Sequence, residues 1–502
     1  MTEVIVDGGP LTPGQVVEVA QRRARAVPGP GLAERMEPAR AVVDAAVESG
    51  EVVYGITTGF GALASTRIGR EAAEALQYNL IRSHASGVGE PLPDELVRAI
   101  LLLRARTLAQ GHSGVRPVIV ERLLEMLDRD ILPVIPSQGS VGASGDLAPF
   151  AHLAMPVIGE GKVRIEGRIM TTSETDLAPI VLQAKEGLSL LNGTEGMTAM
   201  GVLALHQARR LLIAADVACA MTIEAMMGSA RPFRDDIHRL RPHPGQVASA
   251  RRIAALIEGS AIGASHQDDF DHAVQDAYSL RCAPQVHGAV SDTLDHMEDV
   301  LSREMGSVVD NPIVFPETGE VVSGGNFHGQ PLAFVLDFAT IAVSELGSIS
   351  ERRTDRLLDP ARSRGLPAFL AADPGVQSGY MISQYVQAAL VAENKVLSHP
   401  ASVDTIPTSG NQEDHVSMGW GAGRKLAQVL VNARKVVAIE ALCAAQGIEY
   451  RWPLLPGPGT GAAVELIRSH VPPLDQDRSL TAEIEAVADL IADGSLASAA
   501  DR

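Results

Sequence analysis

Apolar residues recur at helical spacing over most of the chain. In residues 380–397 the pairs Met381/Ile382, Tyr385/Val386, Ala389/Leu390 and Val396/Leu397 keep one face apolar, and 426–442 repeats the pattern. From about Thr194 to Met227 the sequence is apolar nearly all round, which predicts a helix buried in a large core. Long helices with such stripes predict a bundle. The N-terminal part is more mixed. Residues 3–6 read as a short strand closed by Gly8-Gly9-Pro10, and Thr12-Pro13 opens a helix to about Val27, with a capping hydroxyl followed by proline at the first helical position. A second helix is expected over 38–48, a short strand over 52–54, and helices over 71–82 and 94–109. An apolar strand-like run at 131–135 and a helix-like run at 150–158 bracket a stretch of small residues. Beyond it, 162–171 predicts a hairpin turning at Glu166-Gly167, and 187–193 predicts a loop. A second small hairpin pairs 313–315 with 321–322, and after Arg451 a Pro/Gly-rich linker leads to a short helical tail over 480–491.

Length and composition refine this picture. A chain of 502 residues holds a large core, and the expected division is an N-terminal region (1–193), a helical bundle (194–450) and a tail (451–502). Aromatics are only 3%, against 46% hydrophobic residues rich in Ala, Leu and Val, which favours a mainly helical protein over a β-sandwich. The net charge of −19 argues against a nucleic-acid partner or an anionic membrane. Cys219, Cys282 and Cys443 are widely separated and read as reduced thiols of a cytoplasmic protein. Glu3 and Asp7 leave no basic start before an apolar run, so no secretory signal is expected. The apolar stretch 331–346 is broken by Asp337 and Glu345 and falls short of the roughly 20 apolar residues that span a bilayer.

The candidate chemistry centres on Pro136-Ser137-Gln138-Gly139-Ser140-Val141-Gly142-Ala143-Ser144-Gly145-Asp146-Leu147-Ala148-Pro149. So little side chain is there to pack that the stretch is either a plain turn or a place where backbone is approached closely. Ala143-Ser144-Gly145 has a chemistry of its own. In a compressed backbone the Gly145 nitrogen attacks the Ala143 carbonyl carbon, and loss of water with loss of the Ser144 hydroxyl leaves a ring bearing an exocyclic methylene. The string from Gly142 to Pro149 resembles the active-site string of the histidine and aromatic amino-acid ammonia-lyases. There it becomes the 4-methylidene-imidazolone prosthetic group.

Other strings extend the resemblance. Tyr54 alone reads as a packing residue, or as a base if its phenol, with a reference pKa of about 10, is tuned downward. In Tyr54-Gly55-Ile56-Thr57-Thr58-Gly59-Phe60-Gly61 it is similar to the family's mobile lid, whose tyrosine removes the substrate β-proton. Asn192 alone reads as a turn residue or cap. Leu191-Asn192-Gly193-Thr194 resembles the element whose Asn holds the substrate and the prosthetic group. Arg281 offers a planar fork for a carboxylate, or forms a structural ion pair. By resemblance it grips the substrate carboxylate, with Gln275 and Tyr278 lining the site, while Phe327 of Asn326-Phe327-His328-Gly329 sits beside the prosthetic group. His84 alone is a structural histidine and Glu413 alone a solvated carboxylate. The string Gln412-Glu413-Asp414-His415 looks like the histidine-specific branch, where an imidazole that both donates and accepts would be met by a histidine and a carboxylate.

The resemblance covers roughly residues 3 to 450, with one departure at Glu195, where many relatives carry a different polar residue. It implies an all-α bundle with a smaller mixed N-terminal region. It also implies a homotetramer with sites shared between subunits, and elimination of ammonia from L-histidine to give trans-urocanate without a metal or diffusible cofactor. The nearest alternative is a tyrosine ammonia-lyase or aminomutase with the same prosthetic group. The alternative from another class is a metal-dependent enzyme, suggested by His266-Gln267-Asp268-Asp269-Phe270-Asp271-His272, or a silent helical scaffold. Gly457-Pro458-Gly459-Thr460-Gly461 lacks the preceding strand that a nucleotide-binding loop needs.

Overall fold

The computed structural model describes residues 2–53, 56, 58, 70–142, 145–266 and 274–498. The chain forms two compact units. The first takes Met1–Leu203, Glu298–Leu336 and Pro400–Arg424; the second takes Ala204–Met297, Asp337–His399 and Lys425–Arg502. Helices dominate, and four long ones, Glu195–Ala225, Ala283–Glu304, Gln330–Leu358 and Gly419–Glu449, have residues in both units. The expected mainly helical class, with a mixed N-terminal region, is what the chain adopts.

In the first unit, strand Thr2–Val6 runs parallel to strand Ala24–Pro28. The helix between them is Pro13–Ala20, opened by a reciprocal capping box of Thr12 and Gln15. It ends well before Val27. Residues 24–28 obey a period of two instead: Ala24 and Ala26 are buried, while Arg25 turns out to meet Asp128. The next helix starts early, Leu32–Ser49, with Pro38 inside it. Residues 51–53 form no strand; Val53 packs against a cluster of Ala39, Val43, Ala46, Ile56, Ala184 and Val314 and is held by side-chain burial rather than a ladder. Tyr54 and most of the expected loop at 55–61 lie outside the described residues. Helices Arg70–His84 and Asp94–Leu108 follow as expected. Helix Pro117–Asp128 was not anticipated, although Ile119, Val120, Leu123, Leu124 and Leu127 trace a buried stripe behind Pro117. Of the run 131–135 only Leu132–Pro133 pairs, with Lys162–Ile165, which continues the predicted hairpin to Arg168–Thr171. The hairpin of Ile313–Phe315 with Glu320–Val322 is also present.

Residues 187–193 are not simply a loop. Helix Glu186–Leu191 is buried throughout. Gly187 is there for close approach, not for a turn: its N–H donates to Gln77 Oε1 at 2.9 Å, and a Cβ would strike the Gln77 backbone.

The second unit is helical. Its core holds a buried polar network in which Arg353 pairs with Glu440 at 2.5 Å, and Thr222 donates to the same carboxylate at 2.8 Å. Helix Met381–Leu397 inverts the expectation for its apolar stripe. Ser383, Gln387 and Asn394 face inward, whereas Ile382, Tyr385, Val386 and Val396 are 59%, 63%, 41% and 74% exposed. The seam is held by polar contacts: Gln387 Nε2 donates to Val436 O at 2.7 Å, and Asn394 Oδ1 accepts from Asn432 at 2.9 Å. The stretch expected as a linker contains helix Pro458–Arg468, with the Gly457 N–H donating to buried Glu224 at 2.8 Å. The tail helix is Thr481–Ala492. Gln330–Leu358 is long and apolar enough by composition to cross a membrane, contrary to the reading of 331–346, and 61% of its most apolar window is buried.

Candidate active site

The first unit brings several of the singled-out strings together. Gly145 forms a single parallel bridge with Gly193, and the Asp146 N–H donates to the Gly193 carbonyl at 2.9 Å. Gly145 has φ +73°, and a Cβ on it would sit inside the Gly193 carbonyl. Only glycine fits there, for conformation and for space. Ala143 and Ser144 lie outside the described residues.

Asp146 has no exposed surface. Ser140 Oγ donates to one carboxyl oxygen at 2.7 Å and the Met197 N–H to the other at 2.9 Å, at the N-terminus of helix Glu195–Ala225, where a negative charge is favoured. Burial nevertheless dominates and pushes its pKa up to about 7; the Ser140 and Met197 hydrogen bonds oppose this and the charge of Glu195 adds to it.

Asn192 ends helix Glu186–Leu191. Its Nδ2 donates to Asn311 O at 3.1 Å, and its backbone carbonyl accepts from Arg104 Nη1 at 2.7 Å. Its Oδ1 is buried with no hydrogen-bond partner. Arg104 also pairs with Glu195 at 2.8 Å, and both side chains are buried. The departure at Glu195 is thus matched by an arginine. Sequence reasoning passed over Arg104 because one cation among the leucines of a helix reads as its solvated face.

Residues 413–420 cross the same region. Met418 N donates to Val141 O at 2.9 Å, and buried Trp420 donates through Nε1 to Ser137 O at 2.9 Å. Glu413 O accepts from Thr408 N at 2.9 Å, while its Oε2 is buried and unpartnered. His84 ends helix Arg70–His84 with Nδ1 2.9 Å from Leu80 O. Burial lowers its pKa, opposed by the Leu80 hydrogen bond and the charge of Glu413. Phe327 is half-buried near Gly329, where a Cβ would strike Met197, and His328 stacks on His415 with centroids 5.6 Å apart. Gly145, Asn192, Phe327, His84 and Glu413 therefore share one unit.

Gln275, Tyr278 and Arg281 belong to the second unit. Arg281 lies 4.7 Å from the ring centre of Tyr278 and donates from Nε to Asp276 O at 3.0 Å; Tyr278 is 71% exposed. Gln275 lines a cavity of about 1410 Å³ together with Glu224, Arg231, Arg251 and His266. Of the run suggested for a metal, 267–272 lie outside the described residues; His266 is buried with Nε2 3.3 Å from Gly228 O. Among the described residues no group of three or more His, Cys, Asp or Glu side chains is close enough to hold a metal.

The chain has known counterparts. The sequence profile described as "Aromatic amino acid lyase" matches residues 11–469. The chain belongs to that family of carbon–nitrogen lyases. Over 99% of its length, and 97% of the relative's, it is 51% identical to a protein of Gloeobacter violaceus named histidine ammonia-lyase. Among solved structures it resembles histidine ammonia-lyase from Trypanosoma cruzi, with TM-score 0.91 and 42% identity over 100% of this chain and 95% of the other. It also resembles tyrosine aminomutase from Streptomyces globisporus, with TM-score 0.94 and 40% identity over 99% and 98%.

Proposed function

We propose that the chain eliminates ammonia from L-histidine to give trans-urocanate, using an electrophile formed from Ala143-Ser144-Gly145. What carries the reading is the length of the likeness to histidine ammonia-lyase, which leaves almost no part of either chain unmatched. The surroundings of the loop suit a 4-methylidene-imidazolone. Gly142 and Gly145, on either side of the two reacting residues, hold left-handed φ values of +72° and +73° with no room for a Cβ. Such a group supplies an electrophilic carbon that captures an amine and improves its departure.

The chain's own residues do the rest. Tyr54 takes the β-proton. Arg281 holds the substrate carboxylate, with Gln275 and Tyr278 beside it, and Phe327 lies against the prosthetic group. Asn192 keeps Oδ1 as a buried acceptor for an N–H donor. His84 and Glu413 take the ring. With Nδ1–H given to Leu80 O, neutral His84 offers a lone pair at Nε2, and Glu413 offers an unpartnered carboxylate oxygen. Two acceptors suit an imidazole carrying N–H at both nitrogens. A phenol brings a single donor, so this pair favours histidine over tyrosine.

The assembly is a homotetramer whose sites draw residues from several subunits. The outward apolar face of Met381–Leu397 and the 43%, 45% and 46% exposure of Phe334, Phe338 and Ile341 support burial against other copies. The acidic balance supports a cytoplasmic enzyme without nucleic-acid or membrane partners.

Incubating the purified full-length protein separately with L-histidine and L-tyrosine, and following product absorbance, tests the reading. Histidine is consumed and tyrosine is not, and Glu413→Gln lowers histidine kcat/KM by about 30-fold or more, as expected for loss of a charged hydrogen-bond partner. Turnover of tyrosine alone overturns the substrate assignment in favour of a tyrosine lyase or aminomutase.

A further inference from the structure

The loop around Ala143 and Ser144 is tied on both flanks by different parts of the first unit. On the N-terminal flank, Met418 N–H holds Val141 O at 2.9 Å and Trp420 Nε1–H holds Ser137 O at 2.9 Å. A Cβ on Gly142 would collide with Ser417 Oγ. Trp420 is 1% exposed, and Met418 holds a left-handed φ of +56°, which a residue with a Cβ rarely adopts without constraint from its surroundings. On the C-terminal flank, Gly193 O holds the Asp146 N–H at 2.9 Å. One hydroxyl joins the flanks: Ser140 Oγ accepts from Gly142 N at 3.1 Å and donates to Asp146 Oδ1 at 2.7 Å.

We propose that Ser140, backed by the Met418 amide and the Trp420 indole, is a positioning group that ties Gly142 to Asp146, and that this tie speeds ring closure in the chain between them. Its role is in forming the electrophile, not in touching substrate. The inference rests on the loop chemistry proposed above. In that chemistry a bond forms from Gly145 N to the Ala143 carbonyl carbon, and the carbonyl oxygen leaves as water with the amide hydrogens of Ser144 and Gly145. Ser144 then loses its Cα hydrogen and its hydroxyl as a second water. No oxidant or reductant takes part. The difficulty is geometric, since an extended backbone keeps those two atoms apart, and holding them together removes an entropic part of the barrier. The same residues 413–420 also carry Glu413, so the segment that meets the substrate ring is tied to the loop that supplies the electrophile.

Ser140→Thr keeps the hydroxyl, whereas Ser140→Val keeps the shape without it. Full-length protein is sampled over time after synthesis, and intact mass gives the fraction of chains lacking two waters. Ser140→Thr loses them at about the wild-type rate. Ser140→Val loses them about tenfold more slowly, the scale of one lost hydrogen bond, and its activity falls in proportion to the dehydrated fraction. Trp420→Phe, which keeps a ring in the same space, is slowed likewise and serves if the Ser140 variants fail to fold. Dehydration of Ser140→Val and Trp420→Phe at the wild-type rate overturns the clamp, as does equal slowing of Thr and Val at position 140. A wild-type chain of full unmodified mass overturns the loop chemistry itself, a separate and recognisable failure.

Discussion

Asp146 shows how one buried acid can tie the loop to the acid–base behaviour of the fold. It has no exposed surface, and burial raises its pKa to about 7 from the ordinary carboxyl value of 3.8. A raised carboxyl pKa contributes stability that is complete below pH ~4 and is lost as the pH rises through about 7. Unfolding free energy therefore loses about 3 kcal/mol from this group between pH ~5 and ~8. Asp146→Asn removes the titration, and chemical denaturation at fixed protein concentration should show a correspondingly flatter pH dependence; an unchanged slope contradicts the assignment. At this scale Gly145 was legible, because a reaction that needs small residues also demands a glycine where a Cβ would meet the Gly193 carbonyl. Arg104 was not legible. Its partner Glu195 stands 91 positions away, and nothing local in Leu101-Leu102-Leu103-Arg104 marks a buried cation.

The helix Met381–Leu397 shows where element-level reasoning holds and where it turns. Its period of 3.6 was readable and its bounds are close to those expected, yet its polar side is the one that packs inward. Periodicity tells that a helix has two faces; it does not tell which face meets the rest of its own chain. Tyr385→Asp with Val386→Asp places two charges on that exposed face. Light scattering should report subunits smaller than the wild-type assembly, with activity falling alongside if sites draw on several subunits. An unchanged mass removes this face from the interface. Helix Glu186–Leu191 was missed for a related reason: glycine next to a buried partner imitates a turn signal, and only the Gln77 backbone lying against Gly187 reveals close packing. The strand expected over 131–135 is present only as Leu132–Pro133, and residues 52–53 form none because Val53 satisfies a core without a ladder.

At the scale of the molecule, the strings around Gly145, Asn192, Phe327 and Glu413 are far apart in sequence and close in the first unit. The ties between 137–142 and 417–420 span up to 283 positions, a closeness that no local pattern encodes. Their order in the chain was readable only through resemblance to a family. Gln275, Tyr278 and Arg281 stand in the other unit. The charge of −19 and the long apolar helix Gln330–Leu358 affect how the molecule is solvated and packed. The claim on which the account depends is that the backbone at 143–145 converts itself into an electrophile. Intact mass of freshly purified, active, full-length protein tests it most directly. The account predicts a mass short of the sequence value by two waters, with Ser144→Ala lacking the deficit and nearly all activity while keeping its helical circular dichroism. An active protein of full sequence mass would contradict it.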